Sequence, residues 1–146
     1  VYKQTKKLDE IVIVDDASTD QTSKIIDYWS NKLLIKKVFN SKNIGICESL
    51  KQGVNYCSGD LIFRIDHDDE WTNNHVEEII KLYYEDKNAK LFASKAIYLN
   101  QDSNFIKYSQ YISDKDIRKL LLWDNPIVQS STAFFKKDFI YSIRNY

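Results

Sequence analysis

Two short runs constrain this chain more than anything else in it: "EIVIVDD" at 10–16 and "DLIFRID" at 60–66. Each is apolar and rich in β-branched residues, and each ends in carboxylates. Runs of that length and composition fit buried strands. A helical pattern follows each one. After the first, Ile25, Ile26, Trp29 and Leu33 recur at helical spacing, with Ser18, Thr19 or Asp20 available as the N-cap. "LIKKVFN" (34–40) reads as a second strand and "SKNIG" as a loop. "ICESLKQGVNYCSG" then places Ile46, Leu50, Val54 and Cys57 on one helical face, closed by Ser58 and Gly59. Beyond the second run, Asn73 or Asn74 can cap a helix whose apolar side carries Val76, Ile79, Ile80 and Tyr83. Later, 90–99 reads as a strand and 104–112 as its extended neighbour. Ser113 caps a helical stretch, "DNP" breaks the chain, "IVQSSTAFFKK" is a further strand, and 137–143 starts a last helix.

Strands alternating with helices predict an α/β fold, with a mostly parallel central sheet flanked by helices. No repeat or linker divides the chain, so 1–146 is read as one domain. With 43% hydrophobic and 14% aromatic residues it can pack a core. Lys plus Arg equals Asp plus Glu at 21 each, so no global field favours nucleic acid. No apolar run reaches the length of a bilayer crossing and no signal peptide is visible, which points to the cytoplasm and leaves peripheral attachment to a membrane open. Cys47 and Cys57 lie ten apart on one expected helix, too far for a mutual disulfide, and are read as reduced thiols.

In α/β sheets, ligands bind beyond the carboxyl ends of the strands. Both acidic clusters fall at that edge: Asp15 and Asp16 after one strand, Asp66, Asp68, Asp69 and Glu70 after another. Like charges so close need a metal ion, a helix N-terminus or water to compensate them. Asp66 and Asp68 are two apart, so on extended backbone both side chains reach the same side and can share one cation. Hard Mg²⁺ or Mn²⁺ takes such oxygens, and Mg²⁺ completes its shell with phosphate and water. Equally, acids bunched after a strand serve as solvated loop or capping residues, and Asp69 and Glu70 suit the helix that follows. His67 points to the opposite side and is read as a packing or hydrogen-bonding residue. Asp66, Asp68, Glu70, Asn74 and Glu77 also mimic a calcium loop, but Trp71 stands where its sharp turn needs glycine. "DDASTD" could offer a carboxylate to a base or ribose, or be an ordinary capping cluster. Asn43 and Gly45 enter a helix whose backbone N–H groups could face a phosphate.

In order and spacing, "EIVIVDDASTDQT", "NSKNIGICESLKQGV", "SGDLIFRIDHDDEW" and, more loosely, "NPIVQSSTAFFKKD" resemble the nucleotide-sugar-binding part of family 2 glycosyltransferases. That resemblance implies the Rossmann-like GT-A fold and transfer of a sugar from a nucleoside diphosphate donor, UDP-linked, with inversion and with Mn²⁺ or Mg²⁺. The acceptor would be a glycan or a lipid-linked molecule of bacterial surface polysaccharide or lipooligosaccharide synthesis. By position, Asp16 is similar to the acid that contacts the donor's base. Asp66 and Asp68 match the Asp-x-Asp pair and are the expected metal ligands, with Asp66 facing the ribose or the metal's water, and Asp69 extends the pair. Gln129 stands where many relatives have His, and Leu50 and Lys51 where they carry Arg-Asn.

The family commonly opens with an apolar strand, whereas this sequence starts at "VYKQTKKLDE". The family's general base belongs to an acidic motif expected beyond Tyr146, so no catalytic residue is assigned. The resemblance thus implies a donor-binding fragment, with the acceptor-side part incomplete from about residue 100 onward and an open sheet edge that a second copy could pair with. Two other classes compete. A phosphohydrolase using a strand-end Asp as nucleophile wants its motif on the first strand, followed by a Gly-Thr turn, and neither is present. A catalytically incomplete module that binds a nucleotide or partner without turnover is the other.

Overall fold

In the computed structural model, residues 1–109 and 131–138 are described. The elements run β1 (Ile11–Asp15), α1 (Thr22–Ser30), β2 (Ile35–Phe39), α2 (Ile46–Tyr56), β3 (Leu61–Phe63), α3 (His75–Glu85), β4 (Leu91–Ala93), β5 (Ile97–Leu99), β6 (Phe105–Tyr108) and β7 (Thr132–Phe135). The helix expected after Ser113, the "DNP" break, Gln129 and most of the last helix lie outside the described residues.

The α/β architecture is as the alternation predicts, but the pairing is more mixed than mostly parallel. β1 and β2 pair in parallel, Ile11 against Ile35 through Asp15 against Phe39. β7 lies between β3 and β4 and runs antiparallel to both. β5 and β6 form a separate antiparallel pair. The reason is β7: it is distant in sequence from both neighbours, so no βαβ crossover fixes its direction, and periodicity carries no signal for that. The expected strand at 90–99 is also split. The Ser94 amide still donates to the Ser131 carbonyl in register with β7, and beyond it the chain leaves that sheet and resumes as β5.

The core gathers where α3 meets the β3-β7-β4 sheet. Ile79, Phe92 and Ala133 are buried there, with Leu61, Phe63, Tyr83 and Phe135 packed around them. On the other sheet Ile26, Val38 and Val54 are buried beneath α1 and α2.

Helix starts differ from the capping expected. At α1 the N-cap is Gln21, which makes no side-chain cap bond, while Asp20 one place earlier accepts from the Thr22 amide at 2.9 Å. Neither Asn73 nor Asn74 caps α3 through a side chain: Asn74 occupies the N-cap without such a bond. Gln4 does so instead, from the far end of the chain. Its buried side chain accepts from the Val76 amide at 3.0 Å and donates to the Thr72 carbonyl at 2.6 Å.

Glu10 joins β1 to the turn before β3. It pairs with Lys36 at 2.6 Å and accepts from the Ser58 and Gly59 amides. Lys36 above all, then those amides, pull its carboxyl down from 4.5 to about 2. A depressed folded-state value stabilises above the ordinary value and is lost on acidification. Glu10→Gln is therefore expected to cost about 2–3 kcal/mol at neutral pH. In urea titrations the gap from wild type should close as pH falls from 4.5 towards about 2; a gap independent of pH counts against the ion pair.

Candidate functional site

β1 and β3 share no hydrogen bond. Between them runs a cleft of about 440 Å³, reaching from Glu10 and Gly59 at one end to Arg64, Asp66 and Trp71 at the other. Asp66 is thus in the cleft wall. Its carboxylate accepts from Arg64 Nη2 at 2.9 and 3.1 Å and from Nε at 3.2 Å. Arg64 is mostly withdrawn from solvent, with 13% of its side chain exposed against 34% for Asp66. The backbone then turns, the Asp69 amide donating to the Asp66 carbonyl, and Asp68 and His67 stand exposed on that turn. His67 has none of the burial its packing role required.

Asp16 is placed differently. Its Oδ1 accepts from Asn40 Nδ2 and the Ile44 amide, both at 2.9 Å, and its Oδ2 from the Gly45 amide at 2.8 Å. The Ile44 amide foremost, with Asn40 and Gly45, holds the carboxyl below its usual range. Asp16 therefore fixes the turn that opens α2. Gly45 is needed there because its φ is +86°, a backbone state that L side chains rarely adopt. Asn40 also reaches Ser49 Oγ at 3.4 Å, and Ser49 lines the cleft, so Asp16 stands one hydrogen-bonded step behind the wall. The structure brings Asp66 to the cleft, keeps Asp16 at its flank, and puts Asp68 on the exposed turn beyond.

Ala17, next to Asp16, adopts φ 64°, and the Ser18 amide closes the bend onto Asp15 Oδ1 at 2.9 Å. A left-handed alanine costs about 1–2 kcal/mol, partly offset in glycine by its freer unfolded chain. Ala17→Gly is expected to raise stability by about 0.5–1 kcal/mol, read from the urea midpoint; no gain would mean the bend is not held so in solution.

Sequence patterning missed an aromatic stack near the cleft. Trp71 lies on His75 with ring centroids 4.8 Å apart and 24° between planes, and Phe63 meets both edge-on. Burial lowers the His75 pKa, which favours the neutral ring. Only the Trp71–His75 spacing of one helical turn hinted at this. Both cysteines are free: Cys47 is exposed, and burial pushes the half-buried Cys57 thiol up.

Among the described residues no three His, Cys, Asp or Glu side chains converge as a metal cage. Asp66 and Asp68 offer oxygen only, the donor type that suits Mg²⁺ or Mn²⁺ bound chiefly by phosphate and water. Asp66 is paired with Arg64 and Asp68 is exposed on the turn beyond, so the described residues form no closed site.

An α/β layer with acidic strand ends around a cleft is the GT-A arrangement, and solved structures bear that out. S. aureus TarS 1–349 in complex with UDP aligns with a TM-score of 0.56 and 26% identity, over 61% of this chain and 27% of that one. The Pyrobaculum calidifontis mannosyltransferase PcManGT, in complex with GDP-Man and Mn²⁺, aligns with a TM-score of 0.66 over 97% of this chain and 40% of that one; at 20% identity it speaks to the fold alone. The model of glycosyl transferase family 2 matches residues 1–144, and the chain belongs to that family. Among curated relatives, the Escherichia coli UDP-Gal:alpha-D-GlcNAc-diphosphoundecaprenol beta-1,3-galactosyltransferase is 33% identical over 64% of this chain. The Erwinia amylovora amylovoran biosynthesis glycosyltransferase AmsE is 25% identical over 100% of it. This chain spans 34% and 55% of their respective lengths. No helix among the described residues is long and apolar enough to cross a membrane.

Proposed function

We propose that this chain is the donor-binding part of a metal-dependent, inverting glycosyltransferase that takes a UDP-linked sugar and serves a glycan or lipid-linked acceptor of bacterial surface polysaccharide synthesis, at the cytoplasmic face of the membrane. The observation that carries it is Asp66, a carboxylate at the mouth of a cleft between two strand ends, followed two residues on by exposed Asp68. Family membership supports transfer from an activated sugar. TarS bound to UDP and the UDP-Gal donor and undecaprenol-linked acceptor in the E. coli enzyme's name support the donor and acceptor classes.

Asp66 and Asp68 would hold Mg²⁺ or Mn²⁺, which when bound neutralises diphosphate charge and acts as a Lewis acid towards the departing phosphate. Arg64 neutralises Asp66 without it. Asp16 has about four acceptor positions and uses three on its own turn. Its Oδ2, which already accepts from the Gly45 amide, would accept from the N–H of a uracil in competition with the Ser49 hydroxyl. A general base is not assigned to any described residue. Calorimetry of UDP with and without Mn²⁺ tests this: binding strengthened by the metal is expected, and equal heats in the two titrations count against the metal-bridged site.

A further inference from the structure

Arg64 carries a charge whose burial the fold does not explain. Its side chain is 13% exposed, and the residue it pairs with is Asp66, only two positions further along. Partners so close in sequence tie no distant parts of the chain together. The other well-placed polar groups do: Gln4 reaches α3 across 72 positions, and Glu10 joins β1 to Lys36 of β2 and to the turn before β3. Withdrawing a guanidinium from water is costly, and its pairing offsets that cost only in part. A pair that adds so little to the fold and stands at the start of the acidic turn has its explanation in what that turn binds.

Nε donates to Oδ1 of Asp66 at 3.2 Å, and Nη2 donates to Oδ1 at 2.9 Å and to Oδ2 at 3.1 Å, so both carboxylate oxygens are engaged. Nη1 makes no hydrogen bond among the described residues, which leaves the guanidinium donors for an anion. Beyond the pair, Asp68, Asp69 and Glu70 are exposed. Carboxylates bunched in this way attract a divalent ion whether or not a nucleotide is present. Arg64 opposes that twice over: it occupies the oxygens of Asp66 that an ion needs, and its charge repels a cation arriving at them. A diphosphate reverses the balance, because it supplies oxygen ligands of its own and negative charge for ion and guanidinium together.

We propose that Arg64 is a positioning residue that makes the grip of Asp66 and Asp68 on a divalent cation conditional on a nucleoside diphosphate. This rests on the donor-site reading and adds to it an order of preference: the ion enters with the nucleotide and not ahead of it. Without nucleotide, Arg64 holds Asp66 and the ion is bound weakly. With nucleotide, the diphosphate faces both cations, and ion and nucleotide strengthen each other's binding by the same factor.

The test is Mn²⁺ binding to the whole chain with and without UDP, read from the electron paramagnetic resonance of the free ion. Arg64→Gln removes the charge and keeps an amide donor for Asp66, whereas Arg64→Lys keeps the charge. Mn²⁺ alone is expected to bind Arg64→Gln about tenfold more tightly than wild type, the scale of one unit charge nearby in a partly screened site. The factor by which UDP strengthens Mn²⁺ binding should shrink to match, and Arg64→Lys should restore weak binding of Mn²⁺ alone. A merely structural Arg64 would instead leave Arg64→Gln weaker for Mn²⁺ with and without UDP alike, and that result overturns the proposal. So does an Arg64→Lys that behaves as Arg64→Gln does. Wild type offers a second reading that needs no variant: the Arg64 Nε–H resonance should shift with Mg²⁺ and UDP together and hold its place with Mg²⁺ alone. An equal shift with Mg²⁺ alone overturns the proposal. If UDP does not strengthen Mn²⁺ binding to wild type at all, the donor-site reading falls and this proposal with it. If it does, and Arg64→Gln leaves the factor unchanged, this proposal alone falls.

Discussion

Asp68→Ala is expected to abolish most of the Mn²⁺ dependence of UDP binding, at least about a tenfold loss in affinity with metal present, while leaving the fold as stable as before. The reasoning is local. Asp68 is exposed on the turn after β3, and substitutions at such positions usually stay within about 0.5 kcal/mol. Its carboxylate has no structural duty to lose, so any large effect must come through a ligand. Asp66→Asn should differ in kind. It also removes metal-dependent binding, but it uncouples Arg64, a guanidinium only 13% exposed and bound bidentately at 2.9 Å and 3.1 Å. Weakening a partly buried, charge-assisted pair costs about 1–3 kcal/mol, so Asp66→Asn should lower the urea midpoint where Asp68→Ala does not. The pair of substitutions thus separates a metal role from a structural one. If Asp68→Ala binds UDP with the same metal response as wild type, Asp68 is an ordinary turn residue and the cation, if any, is held elsewhere.

Much of the frame was legible because it rests on local pattern. The runs at 10–16 and 60–66 became β1 and β3, and Ile26, Val54, Val76 and Ile79 became buried, although Ile25 and Ile46 from the same expected faces are exposed. The same-side pairing expected of Asp66 and Asp68 assumed extended backbone, whereas the chain turns at residues 67 and 68, with Asp66 paired to Arg64 and Asp68 exposed beyond. What could not be read depends on contacts between distant residues. Gln4 caps α3 across 72 positions, and nothing in "VYKQT" marks a glutamine as a helix cap. Glu10 reads as a strand-flanking surface acid, yet it ties β1 to Lys36 and to the turn before β3. The role of Asp16 was obscured in the same way. Its place at a strand end suggested a ligand contact, while the three hydrogen bonds it makes to residues 40, 44 and 45 belong to the folded chain. The direction of β7 was equally hidden, since an apolar run such as "TAFF" carries no arrow.

That double duty makes Asp16 the most informative second target. Asp16→Ala removes the acceptor for the Ile44 and Gly45 amides and for Asn40 together. Those two amides sit at the start of α2, where a helix has no internal acceptor for them, and the loop must find water instead. The turn is therefore expected to loosen, with faster amide exchange at residues 44 and 45. UDP affinity should fall about ten- to a hundredfold, the scale of a hydrogen bond to a charged group. Asp16→Asn discriminates the two duties. Its single carbonyl oxygen, standing where Oδ1 does, can still accept from Asn40 and the Ile44 amide. Exchange at Ile44 should therefore recover much of the way towards wild type, while the Gly45 amide, which Oδ2 held, stays fast. The amide nitrogen, however, is a donor and meets a uracil N–H with the wrong polarity, so UDP affinity should stay low. Recovery of both properties in Asp16→Asn would show that Asp16 acts on the nucleotide only through the turn it holds. Recovery of the turn alone would place its carboxylate against the base.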